Sequence, residues 1–240
     1  MIRVHQRPAL MVLTLLLLMC CASCRDSLDL HSDQAVLIVE RAREHPVLFK
    51  TERDLERAPD VFQVKFRIET GGNFIIEAHR EWAPNSVDRF YNLSKADFWK
   101  RAPIIRVVPG HVIQWGIHPS PGVTKSWREH SFDPDRILKS NRRGYVVFAP
   151  DLDSRRPSTQ IMVNLSDHLT YDKFYAPFGR VIKGLDALER VYGDYGDLVE
   201  YGNKIGPDAK LAVKRGQAYI EHRFPLMNVF RSTTLSEKTP

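Results

Sequence analysis

The sequence predicts a mainly β domain, on three features of its middle part. Short β-rich runs follow one another between residues 61 and 182, Gly and Pro residues punctuate them, and only two stretches between residues 61 and 192 show helical spacing. Many short strands separated by turn residues are typical of a barrel or a sandwich. A closed eight-stranded antiparallel β-barrel capped by two helices fits this pattern, with an extra helix near the C-terminus.

The first predicted element is a hairpin that opens the domain. Residues 61–68 alternate between apolar and polar side chains, a Gly pair stands at 71–72, and residues 73–78 form a second β-rich run. Two such runs around a Gly pair indicate a β-hairpin. The apolar face of the first run is Phe62, Val64, Phe66 and Ile68.

Two helices are predicted against the strands. Pro84 suits a first helical turn, and Val87, Phe90, Tyr91 and Ser94 then recur at helical spacing. Residues 185–192 form the second predicted helix. The remaining predicted strands are residues 104–108, 111–116, 145–149, 159–165 and 178–182. Residues 117–143 lack periodicity and hold three prolines, which predicts a long loop.

The segment after residue 192 is predicted to be a C-terminal extension. Residues 193–206 are rich in Gly and Tyr, which indicates a loop. A helix is predicted over residues 207–224, stopped by Pro225, although Gly216 weakens it. This helix is expected to dock on the barrel or on a partner, and the last ten residues are expected to be frayed.

The N-terminal residues indicate export. A basic start and an apolar run over residues 9–19 lead to the small pair Ala22 and Ser23, which predicts a signal peptide over residues 1–23. The run is too short to span a bilayer, which takes about 20 residues.

Cys24 is a candidate lipidation site, because it follows Ala22 and Ser23 in the order of a bacterial lipobox. The lipobox usually has Leu three residues earlier, where this chain has Cys21, so an ordinary signal peptide is the alternative. Residues 24–60 are interpreted as lipid-anchor site and spacer, with a short helix over residues 34–43. Lipidation would hold the protein at a membrane of the cell envelope, in the periplasm, and without it the protein would be soluble there.

Composition excludes several classes of function. All three cysteines fall within residues 20–24, so no disulfide belongs to the domain. The net charge of +6 is spread along the chain, whereas nucleic-acid binding needs a concentrated basic patch. No HExxH motif, phosphate-binding Gly loop or GxSxG elbow occurs. No metal or cofactor is therefore expected.

Four stretches carry a resemblance to the cyclophilins, in family order and with family spacing. They are VKFRIETGGNFIIEAHREWAPNSVDRFYNL from residue 64, IIRVVPGHVIQWG from residue 104, STQIMVNLSD from residue 158 and APFGRVIKGLDALERV from residue 176. The resemblance covers residues 61–192 and is strongest to the bacterial exported branch. It implies the barrel fold and peptidyl-prolyl cis–trans isomerase activity.

The resemblance also implies the site residues. Arg106 and Gln114 match the catalytic Arg and the Gln that orients it. The residues that match substrate-binding positions are His111, Val112, Ala149, Gln160, Met162, Tyr171 and Tyr175.

The proline pocket departs from the family pattern. His111, Val112 and Met162 stand where Phe, Met and Phe are usual, Thr170 replaces a frequent Trp, and Pro150 replaces an Asn whose backbone binds substrate. A weakened isomerase acting on proline-containing segments of exported proteins is therefore expected, as a monomer. Two alternatives stay open: a module that binds proline segments without turnover, and a structural envelope protein whose C-terminal helix docks a partner.

Overall fold

The computed structural model describes residues 55–237. Three expectations lie outside the described residues: the signal peptide over residues 1–23, lipidation of Cys24, and the short helix over residues 34–43. Within residues 55–237, no helix combines the length and the hydropathy needed to cross a membrane.

Eight strands form one antiparallel sheet that curls into a half-barrel. Their order across the sheet is β3-β4-β6-β5-β7-β2-β1-β8. The strands are β1 Val61–Ile68, β2 Asn73–His79, β3 Arg106–Val108, β4 Val112–Trp115, β5 Tyr145–Pro150, β6 Pro157–Asn164, β7 Pro177–Lys183 and β8 Phe230–Glu237. The prediction of a mainly β, eight-stranded antiparallel fold is confirmed.

The predicted closed barrel would be closed between the two edge strands of the sheet, β3 and β8. The edge strands β3 and β8 form no ladder with each other in the described chain. The segments that precede them do meet, through an isolated bridge between Pro103 and Val229. The backbone N–H of Ile104 donates to the Asn228 carbonyl at 2.9 Å beside that bridge.

The core is aromatic and lies inside the curl of the sheet. The predicted apolar face of β1 is buried, from Phe62 to Ile68. The Phe66 ring lies 4.9 Å from Phe74, 5.5 Å from Trp115 and 5.1 Å from Phe230. Because these residues come from β1, β2, β4 and β8, the core joins both ends of the described part of the chain to its middle.

Five α-helices pack around the sheet in the described residues, rather than the two caps and one C-terminal helix expected. They are α1 Pro84–Lys95, α2 Pro121–Glu129, α3 Leu185–Glu189, α4 Ala209–Arg215 and α5 Gln217–Arg223. The predicted helices at 84 and 185 are confirmed. The prediction of a continuous loop over residues 117–143 is wrong, because Pro121 stands in the first turn of α2, where a helix tolerates proline.

The C-terminal extension differs from the prediction in two ways. The single helix over residues 207–224 is divided into α4 and α5 at Gly216, whose φ is +58°. The last residues are not frayed as far as the structure describes them, because β8 pairs with β1 over almost its whole length. A loop over residues 193–206, with a 3₁₀ turn at Val199–Tyr201, connects these elements to α3.

A second apolar cluster fixes that loop to α4 and α5. Leu198 of the loop is 1% exposed and packs in a cluster with Ala212 of α4 and with Ile220 and Phe224, which lie at or next to α5. Ile105, directly before β3, belongs to the same cluster. The extension therefore lies beside the strand that carries Arg106.

Residues 55–60 fall within the predicted spacer, and they contact the domain. Leu55 packs on the main core and Ala58 is 1% exposed. The backbone N–H of Ala58 donates to Asp88 Oδ1 of α1 at 2.9 Å. This short segment is held to the first helix.

Candidate active site

Strand alternation places the predicted catalytic residues together. On β4, Ile113 and Trp115 enter the core, so Val112 and Gln114 lie on the opposite face. On β6, Ile161 and Val163 enter the core, which leaves Gln160 and Met162 on that same opposite face. One face of the sheet thus collects the candidate site.

A row of paired residues crosses four strands on this face. Arg106 of β3 is paired with Gln114 of β4, Gln114 with Met162 of β6, and Met162 with Val147 of β5. Directly opposed side chains on one face lie close enough to interact. The register therefore brings Met162, a predicted pocket residue from a distant part of the chain, beside the two predicted catalytic residues.

A polar chain of hydrogen bonds joins Arg106, Gln114 and Gln160 on this face of the sheet. Arg106 Nη1 donates to Gln114 Oε1 at 3.4 Å and lies 3.8 Å from Met162 Sδ. Gln114 Nε2 donates to Gln160 Oε1 at 2.8 Å. Gln114 is therefore placed to orient the guanidinium while Gln160 orients Gln114.

An apolar cluster lies beside the polar chain. Val147, Ala149 and Met162 are buried together, and the half-buried Tyr175 packs against them. Ala149, Met162 and Tyr175 were expected from the sequence, and Val147 was missed. Its signal was available, because Val147 is two residues before Ala149 and so shares its face of β5.

Two of the predicted residues lie elsewhere around the site. Val112 has no exposed surface and is not a member of that apolar cluster, although it shares the face of β4 that carries Gln114. His111 lies in the turn between β3 and β4, where Gly110 has a φ of +68°. The Tyr171 hydroxyl lies 3.0 Å from His111 Nε2, and the Tyr171 ring lies 5.0 Å from Tyr175.

Burial governs the titration of these groups. It lowers the pKa of His111, and the neighbouring His168 and Arg106 lower it further. Burial raises the pKa of both Tyr171 and Tyr175. The site therefore presents a neutral imidazole and two neutral phenols around one permanent cation, the Arg106 guanidinium.

Two residues that the sequence did not single out contact Arg106. The carboxylate of Asp197 accepts from Arg106 Nε at 2.6 Å and from Nη2 at 3.2 Å. The Tyr201 ring lies over the guanidinium, with its centroid 4.3 Å from Cζ. No local pattern pairs the loop over residues 193–206 with β3, so only the fold could reveal these contacts.

The described residues contain no group of three or more His, Cys, Asp or Glu side chains arranged to hold a metal ion. The arrangement offers a fixed guanidinium and amide donors beside an apolar surface. Such an arrangement can bind a carbonyl and an apolar ring and can stabilise charge, without a nucleophile.

Comparison with known proteins identifies the family. Residues 64–205 match the family described as cyclophilin type peptidyl-prolyl cis-trans isomerase/CLD. This match spans more than half of the chain. The protein belongs to the cyclophilin-type peptidyl-prolyl cis–trans isomerase family.

Relatives with that activity in their names occur in bacteria and fungi. The chain is 26% identical over 133 residues to peptidyl-prolyl cis-trans isomerase A of Dickeya dadantii, which covers 51% of this chain and 67% of that protein. It is 27% identical over 125 residues to a peptidyl-prolyl cis-trans isomerase of Acinetobacter baylyi, covering 50% and 66%. It is 28% identical over 140 residues to peptidyl-prolyl cis-trans isomerase-like 4 of Aspergillus oryzae, covering 50% of this chain and only 30% of that protein.

Solved structures support the fold. A cyclophilin type peptidyl-prolyl cis-trans isomerase of Cryptosporidium parvum has a TM-score of 0.52 at 16% identity, covering 75% of this chain and 99% of that one. The same kind of protein from that organism, crystallised in the presence of the dipeptide Ala-Pro, gives 0.51 at 17% identity, with 73% and 99% covered.

Proposed function

We propose that this protein catalyses cis–trans isomerisation of X–Pro bonds in polypeptide segments, with Arg106 and Gln114 as catalytic residues. The observation that carries the proposal is the hydrogen-bonded chain of Arg106, Gln114 and Gln160 beside the apolar cluster of Val147, Ala149 and Met162. The family membership is consistent with it.

The reaction asks for few chemical groups. The X–Pro amide rotates slowly because its C–N bond is partly double, with a barrier of about 18–20 kcal/mol. A catalyst must bind the twisted amide better than the planar one. When the amide twists, the prolyl nitrogen regains a lone pair, and a fixed guanidinium donor directed at it stabilises that state. Arginine suits this role because it stays charged and offers several donors in a rigid fork.

The direct test is an isomerase assay by NMR exchange or protease coupling on a series of X–Pro peptides. Arg106→Ala should lower the catalysed rate at least about tenfold, since a preorganised donor is lost. The matched control is Arg190→Ala, because Arg190 is exposed and paired only on the surface with Asp186. Activity in Arg106→Ala equal to that of the control would contradict the proposal.

A proline-binding module without turnover is the second candidate. The observation that favours it is Pro150, which lacks the backbone N–H that an Asn would offer at that position. A substrate that loses this hydrogen bond can still be bound without being held as turnover requires. Saturable binding of an X–Pro peptide with no acceleration of its exchange would favour this candidate.

The cellular setting that we propose is the bacterial envelope. A signal peptide over residues 1–23 and lipidation at Cys24 would hold a monomeric isomerase at a membrane facing the periplasm, with exported proteins as its substrates. Mass spectrometry of the N-terminal peptide should show a diacylglyceryl adduct on Cys24 that is absent in Cys24→Ala. An unmodified peptide beginning near residue 24 would contradict the anchor but not the export.

We further infer that the half-barrel is closed between β3 and β8. Beside the bridge of Pro103 and Val229, Arg101 N–H donates to the Phe230 carbonyl at 2.7 Å and Phe230 N–H donates to the Ala102 carbonyl at 3.2 Å. Hydrogen exchange should find the amides of Arg101, Ile104 and Phe230 as protected as those within β1. Rapid exchange at all three would indicate an open seam.

A further inference from the structure

The proposed catalytic residue Arg106 forms an ion pair with Asp197 of the C-terminal extension. Asp197 accepts from Arg106 Nε at 2.6 Å and from Nη2 at 3.2 Å, in a two-pronged ion pair. Paired bonds of this kind fix the plane of a guanidinium as well as its position. The Asp197 side chain is 29% exposed and that of Arg106 is 7% exposed, so solvent screens the pair only partly.

The position of Asp197 determines which guanidinium N–H groups of Arg106 remain directed towards the site. Asp197 takes Nε and Nη2, whereas Nη1 points to Gln114 Oε1 at 3.4 Å and to Met162 Sδ at 3.8 Å. Both of these groups lie on the face that carries the proposed site. The carboxylate therefore holds the edge away from the apolar cluster and leaves Nη1 directed towards it.

Tyr201 restrains the Arg106 guanidinium in the direction perpendicular to its plane. Its ring centroid lies 4.3 Å from Arg106 Cζ, within the distance at which an arginine and an aromatic face attract each other. Tyr201 itself is 53% exposed. One of its faces thus serves Arg106 while the residue borders the solvent.

The loop that presents Asp197 is itself held firmly. Asn203 Nδ2 donates to the Tyr195 carbonyl at 2.8 Å and to the Asp197 carbonyl at 2.7 Å. A Cβ at Gly206 would lie 1.9 Å from the Asp197 carbonyl oxygen, so the beginning and the end of the loop are in contact there. The N–H of Val107 in β3 donates to the Gly196 carbonyl at 3.3 Å.

We propose that Asp197, assisted by Tyr201, is a positioning residue for Arg106 and that the C-terminal extension completes the active site. This inference rests on the proposed isomerase function. The second apolar cluster, which joins Leu198 to α4 and α5, holds the loop at the fixed distance that the ion pair needs.

The test is Asp197→Asn, which keeps the side-chain shape and one acceptor oxygen but removes the charge and one prong. With an Ala-Ala-Pro-Phe peptide, we expect kcat to fall at least about tenfold while KM changes much less, because a small misplacement of a catalytic group has a large effect on rate. Asp197→Glu, which restores the carboxylate, should recover part of the loss. Asp186→Asn is the matched control, since Asp186 forms an exposed ion pair with Arg190, and it should stay within about twofold of the parent.

A spectroscopic readout accompanies the kinetics. In ¹⁵N-labelled protein the Arg106 Nε–H cross-peak, assigned by its loss in Arg106→Ala, should shift or broaden in Asp197→Asn and stay in place in Asp186→Asn. An Asp197→Asn variant with parental or higher kcat, or with an unmoved cross-peak, overturns the proposal.

Failure of the isomerase function would be recognised separately. If the folded parent accelerates no peptide, binding of the same peptide by NMR titration decides the role of Asp197. Weakening of at least about fivefold in Asp197→Asn would support positioning of Arg106 for binding, and an unchanged affinity would overturn it.

Discussion

At the scale of single residues, the site depends on one permanent cation, the Arg106 guanidinium, which is paired with the Asp197 carboxylate and otherwise faces neutral groups. Arg106 is buried, and its guanidinium contacts Gln114, Asp197 and Tyr201. His111 lies close enough for its charge state to matter, since Arg106 helps to lower its pKa. A second cation in this place would compete for the same hydrogen-bond acceptors.

Acid is expected to destabilise the protein through His111. The unfolded histidine takes up a proton as the pH falls through about 6.5, whereas burial keeps the folded pKa lower. The contribution to stability is therefore complete above the unfolded pKa, decreases as the pH falls below it, and levels off below the folded pKa. Urea-unfolding midpoints measured across this range should fall less steeply with acid in His111→Phe. An identical slope in both proteins would exclude His111 as a cause.

The structure brings together most of the site residues that the resemblance implied. Seven of the nine predicted site residues, all but Val112 and His111, lie in the polar chain, in the apolar cluster, or in ring contact with it. The resemblance to the cyclophilins implied these residues, and the period of two along each strand explains why those on β4, β5 and β6 share one face of the sheet. Asp197 and Tyr201 were not predicted as site residues, because their contact with Arg106 depends on how the loop over residues 193–206 folds against β3.

At the scale of elements, the close approach of two backbone segments requires glycine at position 116. Gly116 directly follows β4 with a φ of +124°, and a Cβ there would lie 2.3 Å from the Thr159 carbonyl oxygen. The Thr159 hydroxyl donates to the Gly116 carbonyl at 2.8 Å. The exit of β4 is thus pressed against β6, next to Gln160.

Gly116→Ala should lower the free energy of unfolding by ~3 kcal/mol or more, because a steric clash adds to the strain of a positive φ. Gly71→Ala is the matched control, with a φ of +112° and nothing within 4 Å of its Cβ position. Gly71→Ala should lower the free energy of unfolding by about 1 kcal/mol, from backbone strain alone. Equal losses in urea unfolding would argue against the close contact.

Helix α2 is the element that the sequence concealed. Its apolar signal is limited to Val123 and Trp127, one turn apart, and its neighbouring prolines are typical of a loop. Trp127 is nevertheless 2% exposed and packs on Phe98, with the Arg89 guanidinium 5.4 Å from its ring centroid.

Trp127→Ala should lower the free energy of unfolding by ~3–5 kcal/mol, as expected for a large aromatic side chain removed from a core. Phe174→Ala, at a residue that is 69% exposed, should change the free energy of unfolding by less than about 0.5 kcal/mol. Calorimetry or urea unfolding of both variants measures the contrast. A small loss at Trp127 would mean that α2 is a dispensable surface turn.

At the scale of the whole molecule, the folding unit extends beyond the region of sequence resemblance. Residues 61–192 carry the family motifs, yet β8 completes the sheet and Phe230 is fully buried among the core aromatic rings. The sequence did not reveal β8 because one face of this edge strand is largely exposed and its residues are mostly polar. An edge strand with little buried surface has almost no hydrophobic period to detect.

A chain that stops at residue 192 is therefore expected not to fold. It would lack β8, Phe230 and the second apolar cluster, and it would leave β1 as an uncovered edge. The longer chain of residues 55–237, as the matched control, should unfold cooperatively in urea and give a dispersed NMR spectrum. A cooperative transition for residues 55–192 would contradict the prediction.

The pairing of β1 with β8 also has a consequence for the order of folding. β1 lies near the start of the described chain and β8 at its end, so their ladder must wait until synthesis of the domain is finished. Contacts between such distant segments are slow to form, because the entropy of closing the chain is lost before they stabilise it. During that interval the edge of β1 stays unpaired and Phe66 on its apolar face lacks the cover of Phe230. A molecular chaperone or a ribosome-associated factor would have its longest opportunity to act on this protein at that stage.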